Sequence, residues 1–217
     1  MLPRVLEPEV MDSPEEARDY DAMDHAAVNR LFVEDFLKVW DGGQPLLDVG
    51  TGTAQIPIEL CRRSFGVRIT AIDLAEHMLE VGAANVRRAC LEDCIVLERV
   101  DAKRMPFRDG HFAGLISNSI IHHIPEPATV FAEMKRVVAK GGVLFVRDLL
   151  RPADAAEVER LVSLYAAGAN AHQRQMFGDS LRAALTLDEV RGMVQALGFA
   201  PETVQPTSDR HWTWVGR

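Results

Sequence analysis

Hydrophobic and polar positions along the chain form two alternating patterns, which predict strands separated by helices. Short continuous apolar runs, typical of strands buried on both faces, alternate with segments whose apolar residues recur every three or four positions. The predicted strands are 46–49, 67–72, 94–99, 112–118, 143–146, 201–205 and 211–215. Strands that alternate with helices imply a parallel sheet with right-handed crossovers. The last two strands follow each other directly, which predicts an antiparallel hairpin at the end.

Helical spacing predicts the segments between these strands, and the first residues differ from the rest. The predicted helical segments are 24–40, 54–63, 75–88, 130–138, 152–184 (helical without a strand) and 186–198. The last of these begins with Thr186-Leu187-Asp188-Glu189, a capping-box sequence. Residues 1–20 are acidic and interrupted by prolines, which predicts an extended or loosely ordered segment.

The first strand leads into a glycine loop. Asp48 ends the apolar run, and Gly50 and Gly52 flank Thr51 before the helical pattern begins. Glycines let the backbone turn sharply and leave room for a ligand, and the first N–H groups of the helix can face polar ligand atoms. This stretch therefore predicts a ligand-binding strand–loop–helix unit.

The second strand ends in Asp73, 21 residues after Gly52. In a βαβ unit this spacing places a carboxylate within reach of ribose hydroxyls. The third glycine of a dinucleotide-binding loop is replaced by Gln55. NAD is therefore disfavoured, while a ligand with a ribose is favoured.

Four motifs in order resemble those of class I S-adenosylmethionine-dependent methyltransferases, over roughly residues 44–150. Asp48-Val49-Gly50-Thr51-Gly52 resembles the first motif, and the stretch from Ala71 to Leu79 resembles the second. Asp101-Ala102 is similar to the third. The stretch from Phe112 to Ile124 is similar to the fourth strand and its exit in the quinone-biosynthesis and small-molecule branch of the family.

The resemblance implies a Rossmann-like three-layer α/β sandwich, with a seven-stranded, mostly parallel sheet and an antiparallel last strand. It implies S-adenosylmethionine as cofactor, with Asp48 holding the loop, Asp73 the ribose and Asp101 the adenine. The implied cofactor-binding residues are Tyr20, Asp48, Gly50, Thr51, Gly52, Asp73, Leu74, Met78, Asp101, Ala102 and Asn118. We expect an N-terminal extension with a cofactor-covering helix at 1–43, and a methyltransferase domain at 44–217 with a helical lid insertion at 150–185.

Two histidines are the candidates for acid–base chemistry. His122 and His123 lie just past the fourth strand, and a histidine titrates near neutrality, so either could take a proton from a hydroxyl or thiol acceptor. Alternatively, one of them only caps the following turn.

Candidate acceptor contacts lie in the second half of the chain. They are Arg147, Tyr165 and Arg174, although a plain ion pair of Arg147 with Asp148, and an ordinary packed helix pair, would use the same residues. Trp212 and Trp214 share a face of the last strand and are predicted to be core.

Composition limits which kinds of molecule the protein is expected to bind. The 217-residue chain carries a formal net charge of −8, which disfavours nucleic acid. Its three cysteines, Cys61, Cys90 and Cys94, are an odd number without metal-ligand pairing, so we predict structural cysteines and no metal site. No apolar run reaches the roughly 18 residues of a membrane span, and the first residues do not resemble a signal peptide, so we expect a cytoplasmic protein.

The predicted function is methyl transfer to a small-molecule acceptor. A protein that binds the cofactor without transferring its methyl group needs the same pocket, so this alternative stays open, as does an RNA methyltransferase. The sequence does not identify the acceptor atom or the oligomeric state.

Overall fold

The computed structural model describes residues 2–7 and 12–217, which fall into two compact units. Of the described residues, the large unit contains 12–118, 129–146 and 215–217. The small unit contains 2–7, 119–128 and 147–214. The predicted boundary between residues 43 and 44, and the role of 150–185 as a lid, stay predictions.

Seven strands form one sheet. They are β1 Leu46–Val49, β2 Ile69–Asp73, β3 Ile95–Arg99, β4 Phe112–Asn118, β5 Val138–Leu149, β6 Val204–Pro206 and β7 His211–Gly216. Their order is β3-β2-β1-β4-β5-β7-β6. Strand β1 pairs in parallel with β2 and β4, β2 pairs in parallel with β3, and β6 and β7 are antiparallel. The predicted fold class is confirmed. Strand β5 extends well beyond both ends of the predicted segment, and β6 begins later than predicted, after a 3-10 turn at Pro201–Thr203.

Eight helices are found among the described residues. They are α1 Pro14–Asp21, α2 Ala26–Val39, α3 Gln55–Arg63, α4 Glu76–Arg88, α5 Pro127–Val137, α6 Ala155–Tyr165, α7 Ala171–Ala183 and α8 Leu187–Ala196. The capping box at Thr186 forms as predicted. The prediction that 152–184 is helical without a strand is confirmed, and the segment is divided into α6 and α7 because Asn170 accepts from the Gln173 N–H and starts a new helix there.

The prediction for the N-terminal residues is wrong in part. Residues 2–7 have no regular secondary structure, whereas residues 14–21 form α1 instead of a loose segment. Ser13 and Glu16 make a reciprocal capping box and Pro14 occupies the first turn, where its missing N–H does no harm. Residue 1 and residues 8–11, which belong to the same prediction, lie outside the described residues.

Each unit has its own apolar core. In the large unit Phe32, Val33 and Phe36 of α2 pack with buried residues of the central strands. In the small unit Leu149, together with residues of α6 and α7, forms a second cluster. Such burial supplies about 25 cal/mol for each Å² of apolar surface removed from water.

Other predictions about buried residues have mixed outcomes. Trp212 and Trp214 are fully buried, which confirms them as core residues. The cysteines are free, and Cys61 and Cys94 pack against the core of the large unit. Cys90, however, is exposed in a left-handed conformation just after α4, so a buried structural role for it is wrong. Among the described residues no helix combines the length and apolar character needed to span a bilayer.

Candidate functional site

The loop after β1 is held in an unusual backbone conformation. Gly50, Gly52 and Ala54 have φ values of 75°, 54° and 62°, in the left-handed region that glycine adopts without strain. The N–H groups of Gly50 and Thr51 both donate to the carbonyl of Ile72 at 2.9 Å. The loop is therefore fastened to the end of β2, and α3 begins directly after it.

Asp73, at the end of β2, connects this loop to the start of α4. Its Oδ2 accepts from the Gly52 N–H at 2.8 Å, and its Oδ1 accepts from the Ala75 N–H at 3.0 Å. Burial raises the pKa of Asp73, although these backbone donors oppose the shift. Each carboxylate oxygen keeps acceptor capacity for a further donor, such as a hydroxyl group of a ligand.

Asp48 is buried with an unsatisfied oxygen. The residue is 2% exposed, and among the described residues its Oδ2 has no hydrogen-bond partner. Burial raises the pKa of Asp48 to about 7; the Thr51 hydroxyl opposes this shift and the negative charge of Asp73 adds to it. A buried carboxylate without a partner is costly, so this position favours a ligand that carries positive charge or hydrogen-bond donors.

Tyr20, at the end of α1, lies over the glycine loop. A Cβ atom built on Gly52 would lie 3.6 Å from Cε1 of the Tyr20 ring. Burial, together with the charges of Asp73 and Asp48, raises the pKa of Tyr20 to about 12, so the phenol is a neutral hydrogen-bond donor at physiological pH. Tyr20 also packs in one cluster with Met78 of α4. The structure thus brings Tyr20, Gly52, Asp73 and Met78 together, and their contacts to a cofactor stay predictions.

The remaining predicted cofactor residues follow the ends of the strands. Asp101 comes shortly after β3, which is tied to β2 by the Val100 N–H donating to the carbonyl of Asp73 at 3.0 Å. Oδ1 of Asp101 accepts from the Lys103 N–H at 2.9 Å, and its side chain is 41% exposed. Asn118 is half-buried and ends β4. Their contacts to a cofactor, and those of Leu74 and Ala102, stay predictions.

A hydrogen-bond network that the sequence did not predict connects the glycine loop to α1, α3 and α4. Oδ1 of Asp21 accepts from Gln55 Nε2 at 3.0 Å and from Asn85 Nδ2 at 2.8 Å. Nδ2 of Asn85 also donates to the carbonyl of Thr53 at 3.0 Å. Because Asp21 and Asn85 lie 64 positions apart, no local pattern indicates their contact.

Gly82 of α4 packs close to the loop. A Cβ atom at this position would lie 3.3 Å from the Gly52 carbonyl oxygen, so a side chain here has little room. The helical periodicity places Gly82 on the packed face of α4 but does not show what it contacts.

The two predicted histidines belong to a charged cluster in the small unit. His122, only 4% exposed, lies in the 3-10 turn Ile121–His123, and its Nδ1 lies 2.5 Å from Oδ1 of Asp148. Oε1 of Glu7 lies 3.5 Å from Nε2 of His122 and 3.1 Å from Nδ1 of His123. Burial disfavours the charged imidazole, yet the carboxylates of Asp148 and Glu7 raise the pKa of His122. The sequence shows no signal for Glu7, which lies far from the histidines along the chain.

Each of the three predicted acceptor contacts makes its own hydrogen bond to a different residue of the small unit. Nε of Arg147 donates to Oγ1 of Thr213 at 2.8 Å. The Tyr165 hydroxyl donates to Oδ1 of Asp209 at 2.8 Å. Nη1 of Arg174 donates to the carbonyl of Ala166 at 3.4 Å, beside a cavity of about 270 Å³ next to α6 and α7. Their roles toward an acceptor stay predictions.

Known proteins are similar to this chain in sequence and in fold. The family model described as "Methyltransferase domain" matches residues 47–146. The chain is 27% identical over 166 residues to the 27-O-demethylrifamycin SV methyltransferase of Amycolatopsis mediterranei (strain S699), covering 76% of this chain and 57% of that protein. It is 28% identical over 168 residues to the ubiquinone/menaquinone biosynthesis C-methyltransferase UbiE of Ruegeria sp. (strain TM1040), covering 72% and 66% respectively. The chain thus spans less than two thirds of the length of both relatives.

The fold agrees with a solved structure, that of a SAM dependent methyltransferase from Aquifex aeolicus. The TM-score is 0.68 at 17% identity, and the alignment covers 94% of this chain and 98% of that one. Residues 47–146 are therefore similar to a methyltransferase domain, including that of a quinone-biosynthesis methyltransferase, and the seven-stranded sheet agrees with the fold of the solved structure.

Proposed function

We propose that the protein binds S-adenosylmethionine in the large unit and transfers its methyl group to a small-molecule acceptor. The observation that carries this proposal is the unsatisfied, buried Asp48 beside the loop that Asp73 and Gly52 hold together. A cofactor with a cationic sulfonium, an ammonium group and ribose hydroxyls fits these carboxylates. The methyltransferases named above support the activity.

The residues of the large unit have distinct proposed roles. Asp73 accepts from the ribose hydroxyls, Asp101 from the adenine amino group, and Asp48 keeps the loop in place with its charge near the cationic part. Tyr20 covers the methionine part as a neutral donor. When bound, S-adenosylmethionine supplies an electrophilic methyl group together with its leaving group, so the protein mainly has to align donor and acceptor.

Proton removal from the acceptor is assigned to His122 or His123. Asp148 holds Nδ1 of His122, so only Nε2 is left to accept a proton. Arg147, Tyr165 and Arg174 are the proposed acceptor contacts. A cytoplasmic location and the absence of nucleic-acid partners stay predictions from composition.

The experiment is a turnover assay. Purified protein is incubated with S-adenosylmethionine and a panel of phenols, quinols, thiols, amines and bulk tRNA, and S-adenosylhomocysteine release is measured. We expect release with one class of small molecule, and none with tRNA. If the protein binds the cofactor but no acceptor gives release, the non-catalytic binding alternative is favoured; release with tRNA alone would favour an RNA methyltransferase.

A further inference from the structure

Three potential metal ligands meet in the small unit. They are Glu7, His122 and His123, whose donor atoms all lie within 4.8 Å of one another. His122 is buried, and the side chains of Glu7 and His123 are only 15% and 21% exposed. The cluster is therefore a largely enclosed set of two imidazoles and one carboxylate, and not an exposed acidic patch.

The distances within the cluster suit a metal ion. Zinc binds histidine nitrogen and carboxylate oxygen at about 2.0–2.2 Å, so two ligands of a tetrahedral ion lie roughly 3.3–3.5 Å apart. Oε1 of Glu7 lies 3.5 Å from Nε2 of His122 and 3.1 Å from Nδ1 of His123. Both distances to Glu7 are therefore close to those of two ligands on one ion, and the two histidine nitrogens lie within 4.8 Å of each other.

Asp148 provides a second, independent observation. Metal-bound histidines usually donate their other ring N–H to a carboxylate, which fixes the tautomer and the ring orientation. Nδ1 of His122 lies 2.5 Å from Oδ1 of Asp148, and the other oxygen, Oδ2, accepts from the Ile121 N–H at 2.5 Å. The Asp148 carboxylate is thus fixed at both oxygens, and it directs Nε2 of His122 toward Glu7.

The segment that carries Glu7 is also held in place. Nε of Arg4 donates to the carbonyl of Ala183 at 2.7 Å, and its Nη2 donates to the carbonyls of Ile124 at 2.9 Å and His122 at 3.1 Å. The hydroxyl of Ser180 donates to the Glu7 carboxylate at 3.1 Å. Glu7 is therefore positioned beside the histidine turn before any ion binds.

We propose that Glu7, His122 and His123 bind one divalent transition-metal ion of the zinc type. Two imidazoles and a carboxylate favour zinc and its neighbours over Mg²⁺ and Ca²⁺, which prefer sites built from oxygen ligands alone. Three protein ligands leave a position open for water or for a hydroxyl-bearing small molecule. The sequence predicts no metal site because its Cys spacing shows none and Glu7 is distant along the chain.

The site goes beyond the proposed function, and in the metal-bound protein it replaces the proton-accepting role proposed for His122 and His123. A nitrogen that ligates a metal does not accept a proton, so Nε2 of His122 and Nδ1 of His123 would be ligands and not bases. The competing explanation is that Glu7 and the histidines only anchor residues 2–7 through hydrogen bonds and ion pairs.

The test is metal titration of the full chain without cofactor. Metal-free protein is titrated with Zn²⁺ by calorimetry, and Co²⁺ is added in a parallel sample as a spectroscopic probe. We expect one equivalent of Zn²⁺ and a Co²⁺ spectrum without a sulfur-to-cobalt charge-transfer band, which excludes binding at the cysteines. Less than one equivalent, or a spectrum with thiolate ligation, would overturn the proposal.

Variants distinguish ligation from anchoring. Glu7→Gln keeps the shape of the side chain and a hydrogen-bonding oxygen, and His123→Ala removes a ligand that is not in the Asp148 pair. We expect each to weaken Zn²⁺ binding at least about tenfold, and Asp148→Asn to weaken it by about 10–100-fold. The controls Cys90→Ser and His172→Ala, both at exposed positions, should bind as the original protein does. Equal Zn²⁺ affinity in Glu7→Gln and the original protein would contradict the assignment, whatever the outcome of the turnover assay.

Discussion

The loop of the large unit and the histidine cluster of the small unit both contain buried carboxylates, but the two are assembled in different ways. In the large unit Asp48, Gly52 and Asp73 come from one continuous βαβ segment, and backbone N–H groups hold the Asp73 carboxylate. In the small unit Asp148 lies 26 positions after His122, a similar separation, whereas Glu7 reaches the histidines from a distant part of the chain. Local assembly leaves a pattern in the sequence, whereas long-range assembly leaves none.

The two carboxylates also differ in how well they are satisfied. Asp148 accepts hydrogen bonds at both oxygens and lies against His122, so its pKa is lowered although burial opposes this. Asp48 keeps an unsatisfied Oδ2 and its pKa is raised to about 7 by burial. The first arrangement stabilises the unit that contains it, whereas the second is costly until a ligand binds.

The largest expected effect is the removal of Asp148. Asp148→Ala leaves a buried histidine and two backbone N–H groups without their acceptor, and we expect it to lower the free energy of unfolding by about 3–5 kcal/mol. Asp101→Ala is the matched control, because the Asp101 side chain is 41% exposed and its ion pair contributes about 1 kcal/mol or less. Urea denaturation measures the free energy of unfolding of both variants. Equal losses in Asp148→Ala and Asp101→Ala would contradict the claim that the buried Asp148 carboxylate stabilises the small unit.

The next effect is a pH dependence caused by Asp48. Its folded-state pKa of about 7 lies above its ordinary value of 3.8, so the folded protein without ligand binds an extra proton between these values and loses stability as the pH rises through that window. Asp48→Asn removes this loss, which we expect to be on the order of 3 kcal/mol between pH 5 and pH 8.

Urea denaturation at pH 5 and pH 8 tests this dependence. The variant should gain stability relative to the original protein as the pH rises, while its S-adenosylmethionine affinity falls. A stability difference that does not change with pH would show that burial does not raise the pKa of Asp48.

The smallest effect concerns two helical glycines. A Cβ atom added to Gly192 of α8 would have no atom within 4 Å, whereas a Cβ atom at Gly82 would lie 3.3 Å from the backbone of the loop. We expect Gly192→Ala to stabilise the protein by about 0.5–1 kcal/mol through helix propensity. Gly82→Ala should show no such gain and should weaken cofactor binding. Thermal unfolding and calorimetry test this pair, and identical behaviour would show that the loop tolerates displacement.

Much of the fold, and the arrangement of the glycine loop with Asp73, follow from sequence patterns. The apolar runs predict the strands because their side chains are buried on both faces, and the glycines with Asp73 predict the cofactor loop because these contacts are close along the chain. Helix α1 is not predicted, because Ser13 and Glu16 form a capping box among residues whose charge and prolines indicate an extended segment. The roles of Glu7, Asp21 and Asn85 are not predicted either, because their partners lie far away along the chain.

The most direct test of the central claim is calorimetric titration of S-adenosylmethionine into the original protein and into Asp73→Ala. We predict saturable binding to the original protein. We also predict that Asp73→Ala loses about 1–3 kcal/mol of binding free energy, because charge-assisted hydrogen bonds to the ligand and the acceptor for the Gly52 N–H are lost. Equal affinity in the two proteins, or no binding to the original protein, would contradict the assignment of the cofactor site.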